Sequence, residues 1–414
     1  MNFVVAILGL AALILIHEAG HFFVARAVGM SPRKFYLGFP PALVKRVRNG
    51  IEYGIGTIPL GGYVKIPGMH RPAAGDVDDY FGPVLRELPG LRRPLAEVEH
   101  ALTAEDFDAA RVALLAVERM LTGADLSPAA VKAADRGLTE LADACADDAY
   151  WRARTWKRVA VILAGPGANF LVALALFWVV FLVSLGPATN RIQRVDQTVR
   201  SGAADQPSPA STAGLRSGDV VVRVNGEPIS EGQELREAIQ STSGGPLALV
   251  VRRDGRTVAL PPVRPLLLDG AYRLGIGLDD TGYPAGEAAL RAVKALGFVS
   301  RDTGISLGNL IHQRGRDQIS SPVGIVRESA RAASAGWESY VTLLAFISLS
   351  LGLLNLLPLL PLDGGHIVVS LIEGVRGRAF AKEAYMRISV IGIALVLMLF
   401  FIGLTNDVGG RGGG

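Results

Sequence analysis

Cysteine is nearly absent from this 414-residue sequence, in which Cys145 stands alone. One thiol cannot form an internal disulfide, and it excludes a metal site built from several thiolates. A buried, idle thiol is the expected state. Histidine is almost as scarce, with six residues, so a pair at ligand spacing carries weight. Net charge is small as well, 42 Lys and Arg against 38 Asp and Glu. With no stripe of basic and aromatic residues, this argues against nucleic acid as a partner and assigns the basic residues to membrane flanks. Apolar residues, in contrast, are abundant. A hydrophobic share of 50% and a mean hydropathy of +0.34 point to an integral membrane protein, and the length to two or three units.

Four stretches have the length and apolarity of transmembrane helices. They are 2–28 within a first segment 1–29, then 159–185, then 337–357 within a segment running on to 366, and 387–404. Basic residues cluster between the first two, at Arg33, Lys34, Lys45, Arg46, Arg48, Arg152, Arg154, Lys157 and Arg158. They cluster again between the last two, at Arg376, Arg378, Lys382 and Arg387. By the positive-inside rule both stretches are cytoplasmic, which puts 186–336 and both termini outside. The first apolar run lacks a basic leader and a convincing small-residue cleavage site, so it reads as retained rather than as a signal peptide.

Inside that run lies Ile14-Leu15-Ile16-His17-Glu18-Ala19-Gly20-His21-Phe22-Phe23. Two histidines four residues apart project from one face of a helix, so both imidazoles can reach one Zn²⁺. Glu18, between them, is placed to act as a general base toward a water at that ion. Ionisable groups within a membrane span are costly, and by default they mark function. Two histidines do not complete a catalytic zinc site, which takes three protein ligands and keeps one position for water. The candidate third ligand is Asp363, in Leu354-Asn355-Leu356-Leu357-Pro358-Leu359-Leu360-Pro361-Leu362-Asp363-Gly364-Gly365-His366. It follows an apolar run at the cytoplasmic end of the third span, a depth compatible with His17 and His21. Pro358 and Pro361 break the helix and free backbone groups around Asp363 and Asn355. The competing reading makes Asp363 a helix or turn cap. His366 is read as a supporting or interfacial residue, not a ligand. Neither His70 nor His100 has a metal spacing, and His312, beside Gln313 and Arg314, reads as an exposed surface residue.

Between the first two spans the chain changes character twice. Residues 30–69 read as short membrane-associated β-structure. Ile51–Ile58 alternates, and Pro59–Ile66 follows with glycines at the turn. Gly61, Gly62 and Tyr63 are candidate substrate contacts, since an edge strand holds an extended peptide by main-chain pairing. A plain juxtamembrane hairpin is the alternative. Residues 70–150 are rich in Ala, Leu, Asp and Glu, with helical spacing in 101–121 and 127–144, the second opened by Ser127-Pro128. This predicts a small acidic helical insertion on the cytoplasmic side, either a docking module or a decoration.

The second span opens with Ala164-Gly165-Pro166-Gly167-Ala168-Asn169-Phe170. Its small residues permit close helix packing, and Asn169 needs a polar partner in the bundle. Beyond it, 190–265 reads as a soluble β-rich module. It carries Ala213-Gly214-Leu215-Arg216-Ser217-Gly218-Asp219, turns at Asn225-Gly226 and Asp254-Gly255, a helix at 231–241, and strands at 247–252 and 257–260. This pattern resembles a PDZ domain, a fold that binds extended peptides or C-termini by strand addition. Ligand capture and size filtering are both open to it. Residues 284–334, with Ser321-Pro322-Val323-Gly324, are amphipathic and predict one or two helices at the outer membrane surface.

In this order, and with a PDZ-like module between the second and third spans, four motifs resemble the site-2 protease family of intramembrane zinc metalloproteases, in its bacterial regulator-of-sigma-E type. They are His17-Glu18-x-x-His21, Gly165-Pro166-x-x-Asn169, Asn355-x-x-Pro358 and Leu362-Asp363-Gly364. The resemblance covers 1–70 and 151–404. It implies Zn²⁺ held by His17, His21 and Asp363, Glu18 as catalytic base, Asn355 near the substrate backbone, and re-entrant β-structure at 51–66. It also implies substrates that are single-span membrane proteins already trimmed outside the membrane, anti-sigma factors first and signal-peptide remnants second. The implied location is the bacterial inner membrane, multi-pass, with the active site toward the cytoplasm and the PDZ domain outside. Two features depart from the pattern. The prototype carries two tandem PDZ modules where this chain has room for one, and the 71–150 insertion has no recognised counterpart.

The expected fold is a mainly α integral membrane protein with four transmembrane helices and a membrane-associated β-hairpin. It carries an inserted α+β PDZ domain and a cytoplasmic helical insertion. A non-catalytic membrane scaffold is the competing class, and the intact Glu18 argues against it. A transporter would need polar residues spread over several spans, and the second and fourth are too apolar.

Overall fold

The first span forms one uninterrupted helix, α1 (Asn2–Ala27), in the computed structural model, which describes residues 2–184, 186–201, 204–268, 270–311, 321–380 and 382–408. Its large side chains Phe3, Leu8 and Phe23 point outward, while Ala6, Leu13, His17 and His21 are buried. A helix that is apolar all round and still faces outward is suited to lipid rather than water. The chain divides into two compact units, Met1–Ala173 with Val299–Gly414, and Leu174–Phe298.

After α1 come β1 (Lys34–Arg48) and β2 (Ile51–Lys65), antiparallel across Asn49-Gly50. Both turn residues take positive φ, 51° and 76°, the geometry that suits a tight hairpin. The register splits each strand in two, giving the order 42–48, 51–58, 34–39, 62–65, with Leu37 paired to both Ile55 and Gly62. The short β-structure expected over 30–69 is thus a four-segment sheet rather than a simple two-stranded hairpin, because 34–37 lies between 51–55 and 62–65. Pro40-Pro41 and the basic residues of 34–48 hide that strand's alternation in the sequence. The consequence is functional, since Gly62–Lys65 forms an edge of the sheet.

The insertion folds into α2 (Gly75–Glu87), α3 (Arg92–Thr103), α4 (Phe107–Leu121) and α5 (Pro128–Cys145). The single helix expected over 101–121 is two, because Glu105 turns the chain at φ 59° and Asp106 caps α4 by accepting from the Ala109 N–H. Phe81, Leu91, Leu95, Val98, Leu114 and Leu141 form its core. Cys145 sits among them, its thiol pushed up to about 11 by burial. Charge pairs fasten this bundle to the sheet. Arg33 reaches Asp143 and Asp148, each at 2.9 Å, and Lys65 reaches Asp143 at 2.8 Å and Glu140 at 3.1 Å.

α6 (Thr155–Val183) leads into the β-rich unit. There the chain runs through β3 (Ala188–Val195), β4 (Thr198–Ser201), β5 (Ala204–Pro207), α7 (Pro209–Thr212), β6 (Val220–Val224), β7 (Glu227–Pro228) and α8 (Gly232–Ser241). It continues through β8 (Leu249–Arg253), β9 (Arg256–Ala259), β10 (Leu266–Leu268), β11 (Ala271–Arg273) and β12 (Ile276–Asp280). The main sheet is antiparallel in the order β12-β3-β6-β8-β9, over a core of Ile192, Leu235, Leu247, Leu249 and Leu274. The module thus runs past the expected boundary at 265, because the short strand β12 carries little apolar alternation and is fixed by pairing with β3. Asp219 receives Arg253 Nε and Nη2 at 2.7 Å each. Burial pushes its carboxyl up, yet the guanidinium holds it below the ordinary carboxylate range.

The chain ends with α9 (Ala285–Ile311), α10 (Pro322–Ala335), α11 (Trp337–Asn355), α12 (Asp363–Arg376) and α13 (Lys382–Val408). His312, Gln313 and Arg314 lie outside the described residues. The third expected segment, 337–366, is not one helix, since α11 stops at Asn355 and α12 starts at Asp363. Among the described residues, four helices are long and apolar enough to cross a membrane: Asn2–Ala27, Thr155–Val183, Trp337–Asn355 and Tyr385–Asp407.

Candidate metal centre

Four helices build the centre. α1 and α6 cross so closely that a side chain at Gly20 would collide with the Ala164 carbonyl, and one at Gly165 with the His21 imidazole. α11 packs on α6 through Gly352 against Phe170, and Ser348 Oγ donates to the Asn169 carbonyl at 2.9 Å. The loop 356–362 folds back on Gly364 and Gly365, leaving no room for a Cβ at either. Asp363, the first residue of α12, is held by that fold beside α1. These glycines are the small residues that close helix approach in a membrane requires.

The result is a tight triangle. His17 Nε2 and His21 Nε2 lie 3.2 Å apart, and Asp363 Oδ2 lies 3.2 Å from the first and 3.3 Å from the second. Both histidines are 7% exposed. His21 Nδ1 donates to the Val161 carbonyl at 2.8 Å, so in the neutral ring its Nε2 carries a lone pair. That lone pair faces Asp363 Oδ2, a buried oxygen with no satisfied hydrogen bond. Acceptors crowded this way repel unless a cation lies between them. For metal–ligand bonds of about 2.0–2.1 Å, tetrahedral geometry puts ligand atoms about 3.3 Å apart, so these three fit a zinc ion with a fourth position left over. Among the described residues, this is the grouping of His, Cys, Asp and Glu close enough to hold a metal.

Glu18 lies next to the cluster against the sheet edge. Gly62 packs on its Cγ with no space for a side chain, and the Val64 backbone is within hydrogen-bonding reach of its carboxylate. Of the other residues singled out in the sequence, Gly61 faces the Phe39 ring, while Tyr63 lines a separate cavity of about 240 Å³ with Lys65, His70 and Glu140. Asn355 ends α11, half-buried. His366 does not join the triangle but meets the Tyr385 hydroxyl at 2.6 Å, and Tyr385 stacks edge-on against His70 at 4.3 Å. Sequence reasoning did not foresee Val161, Gly165 and Val64 as neighbours of the site. Asn169 was marked as a polar group in need of a partner. It lies on His17, its side-chain nitrogen 3.1 Å from Nδ1.

Residues 5–399 match peptidase family M50. The chain is 30% identical over 428 residues to the zinc metalloprotease RasP of Geobacillus kaustophilus, covering 96% of this chain and 95% of that one. It is 28% identical over 454 residues to the zinc metalloprotease Rip1 of Mycobacterium tuberculosis, covering 99% and 96%. The probable protease eep of Enterococcus faecalis is 28% identical over 429 residues, covering 96% of each. With its four long apolar helices, this is a multi-pass membrane protein. A match over nearly the whole length leaves no part of the site outside the shared region, and so the chain belongs to peptidase family M50 and is a zinc metalloprotease.

Proposed function

We propose that this chain hydrolyses peptide bonds within the transmembrane segments of single-span proteins already trimmed outside the membrane, such as anti-sigma factors, with signal-peptide remnants as further substrates. The observation that carries this reading is the buried triangle of His17, His21 and Asp363 on helices whose large apolar side chains face outward. Those three residues are the zinc ligands in this proposal, and Glu18 is the general base. When bound, zinc supplies Lewis acidity, lowering the pKa of a water and polarising a carbonyl. Glu18 takes the proton of the attacking water and returns it to the leaving amine. Its carboxylate is steered by Gly62 and Val64, so base and sheet edge act as one unit.

A helical substrate must unwind before its carbonyls can be attacked, and the edge Gly62–Lys65 offers main-chain partners for the extended form. In the same reading Gly61, Tyr63 and Asn355 flank the substrate. The β-rich module is a PDZ domain outside the membrane that captures a peptide or filters substrates by size, and the metal centre opens toward the cytoplasm of a bacterial inner membrane. The charge clusters flanking the spans support this orientation. The test uses purified full-length protein in lipid discs with a single-span substrate. Glu18→Gln should keep zinc and stop cleavage inside the span. Cleavage that persists in Glu18→Gln, or that falls only in soluble loops, contradicts the proposal.

A further inference from the structure

Asn169 is fully buried on α6, with its amide nitrogen 3.1 Å from His17 Nδ1 and its amide oxygen without a hydrogen-bond partner. The two ends of an amide are nearly alike in shape, so which one faces the ring is decided by bonding. Two proton arrangements satisfy this line of atoms. Without a metal, the Asn169 N–H donates to His17 Nδ1, the His17 Nε2–H points at His21 Nε2 across 3.2 Å, and the His21 Nδ1–H donates to the Val161 carbonyl. Each contact along this line then has one donor and one acceptor, while the His21 Nε2 lone pair still faces Asp363 Oδ2 at 3.3 Å.

With a metal on His17 Nε2, that pattern fails. The Nε2 lone pair is needed for the metal, so the ring proton must move to Nδ1. An amide nitrogen facing Nδ1–H would set two donors against each other at 3.1 Å. Turning the amide over removes the conflict. Oδ1 then accepts from Nδ1–H and gains the partner it lacks. His21 needs no such change, because the Val161 carbonyl can only accept and fixes Nδ1–H in both arrangements. Both outer contacts come from one helix, α6, at positions 161 and 169. An imidazole ligand whose second nitrogen donates to a fixed acceptor is held in the right tautomer and made more basic.

We infer that Asn169 is a positioning residue of the metal centre, turning its amide oxygen to His17 Nδ1–H when the metal binds and so holding Nε2 on it. This rests on the reading of His17, His21 and Asp363 as the ligand set. The test measures zinc affinity of the detergent-solubilised full chain by competition with a chromophoric chelator. Asn169→Leu should weaken binding by about 10–100-fold. Asn169→Asp keeps an acceptor oxygen and should retain the wild-type value. Unchanged affinity in Asn169→Leu, or an equal loss in Asn169→Asp, overturns the inference. Should Asn169→Leu fail to fold, wild-type protein labelled with ¹⁵N-histidine still decides. Its His17 should pass from the Nε2–H to the Nδ1–H tautomer as zinc is added, and a ring that is Nδ1–H in both states contradicts the amide turn. Wild-type protein that takes up no zinc defeats the ligand reading itself. Zinc uptake indifferent to residue 169 defeats only this inference.

Discussion

The helical insertion and the membrane-spanning helices use the same backbone for opposite arrangements. In α2–α5, Phe81, Leu95 and Leu141 are inside, and most of the charged residues are outside, Asp76 and Asp143 excepted. In α1 and α13 many large apolar residues are outside, with Leu8 64% and Ile391 70% exposed. Beside buried apolar residues such as Leu13, Phe22, Ile162 and Leu349, the interior of the spans also holds polar and small ones: His17, His21, Asn169, Ser348 and Gly165. One rule covers both cases, since each side chain goes where its surroundings suit it. In water an interior position is the apolar one. In a bilayer the interior of the helix bundle is the place where an imidazole or carboxylate can find partners. Burial of an apolar residue therefore marks packing in either region, and burial of an ionisable one in the spans marks chemistry.

Substitutions separate the two regions. The largest effect is expected at the buried polar cluster. His21→Ala should lose both zinc and cleavage, whereas Glu18→Gln should keep zinc and lower the cleavage rate by about 10²–10⁴-fold, read by metal analysis beside a membrane-substrate assay. The same cation placed on each outer surface sharpens the contrast. Ile391→Arg should cost about 2.5–3.5 kcal/mol of membrane insertion, and Val112→Arg on α4 should change stability by less than about 0.5 kcal/mol. A glycosylation-based insertion assay and a thermal melt measure them, and equal costs would erase the distinction. Next comes Gly62→Val, whose side chain has no space beside Glu18. Displacing the base should slow cleavage by about 10²-fold with zinc content unchanged, and an unchanged rate would detach the sheet edge from catalysis.

The smallest expected effect concerns the junction of insertion and sheet. Burial pushes the Asp148 carboxyl up, but Arg33 pulls it further down, so its pKa in the folded protein lies below the ordinary value. A depressed carboxylate contributes stability that is complete above its unfolded pKa of about 4 and is lost as pH falls through the folded value. Limited proteolysis between α5 and α6 should therefore be flat from pH 8 to 5 and rise only in stronger acid. A rise already near neutral pH would contradict this assignment to Asp148.

The chemistry was legible in the sequence because its residues are costly where they stand. His17, Glu18 and His21 interrupt an apolar run, and Asp363 follows another, so each announces a role before any fold is known. The lengths of the four spans were legible for a similar reason, since the bilayer fixes them. What stayed hidden depends on neighbours far along the chain. The sheet order that puts 34–37 between 51–58 and 62–65 is set by pairing that the alternation of one strand does not encode. β12 becomes a strand because β3 is beside it. Asn169 advertised an unmet need, yet nothing in its surrounding residues named His17 as the partner. Gly165 read as a packing residue, and its second service, leaving room for the His21 ring, required both helices in place.

The most direct test of the central claim is the zinc-edge X-ray absorption spectrum of the purified wild-type protein. It should show two imidazole nitrogens and oxygen ligands at about 2.0–2.1 Å, and the imidazole signal should disappear with the metal in His17→Ala. A third imidazole, which would bring in His366, or a sulfur shell from Cys145, would contradict the assignment of His17, His21 and Asp363.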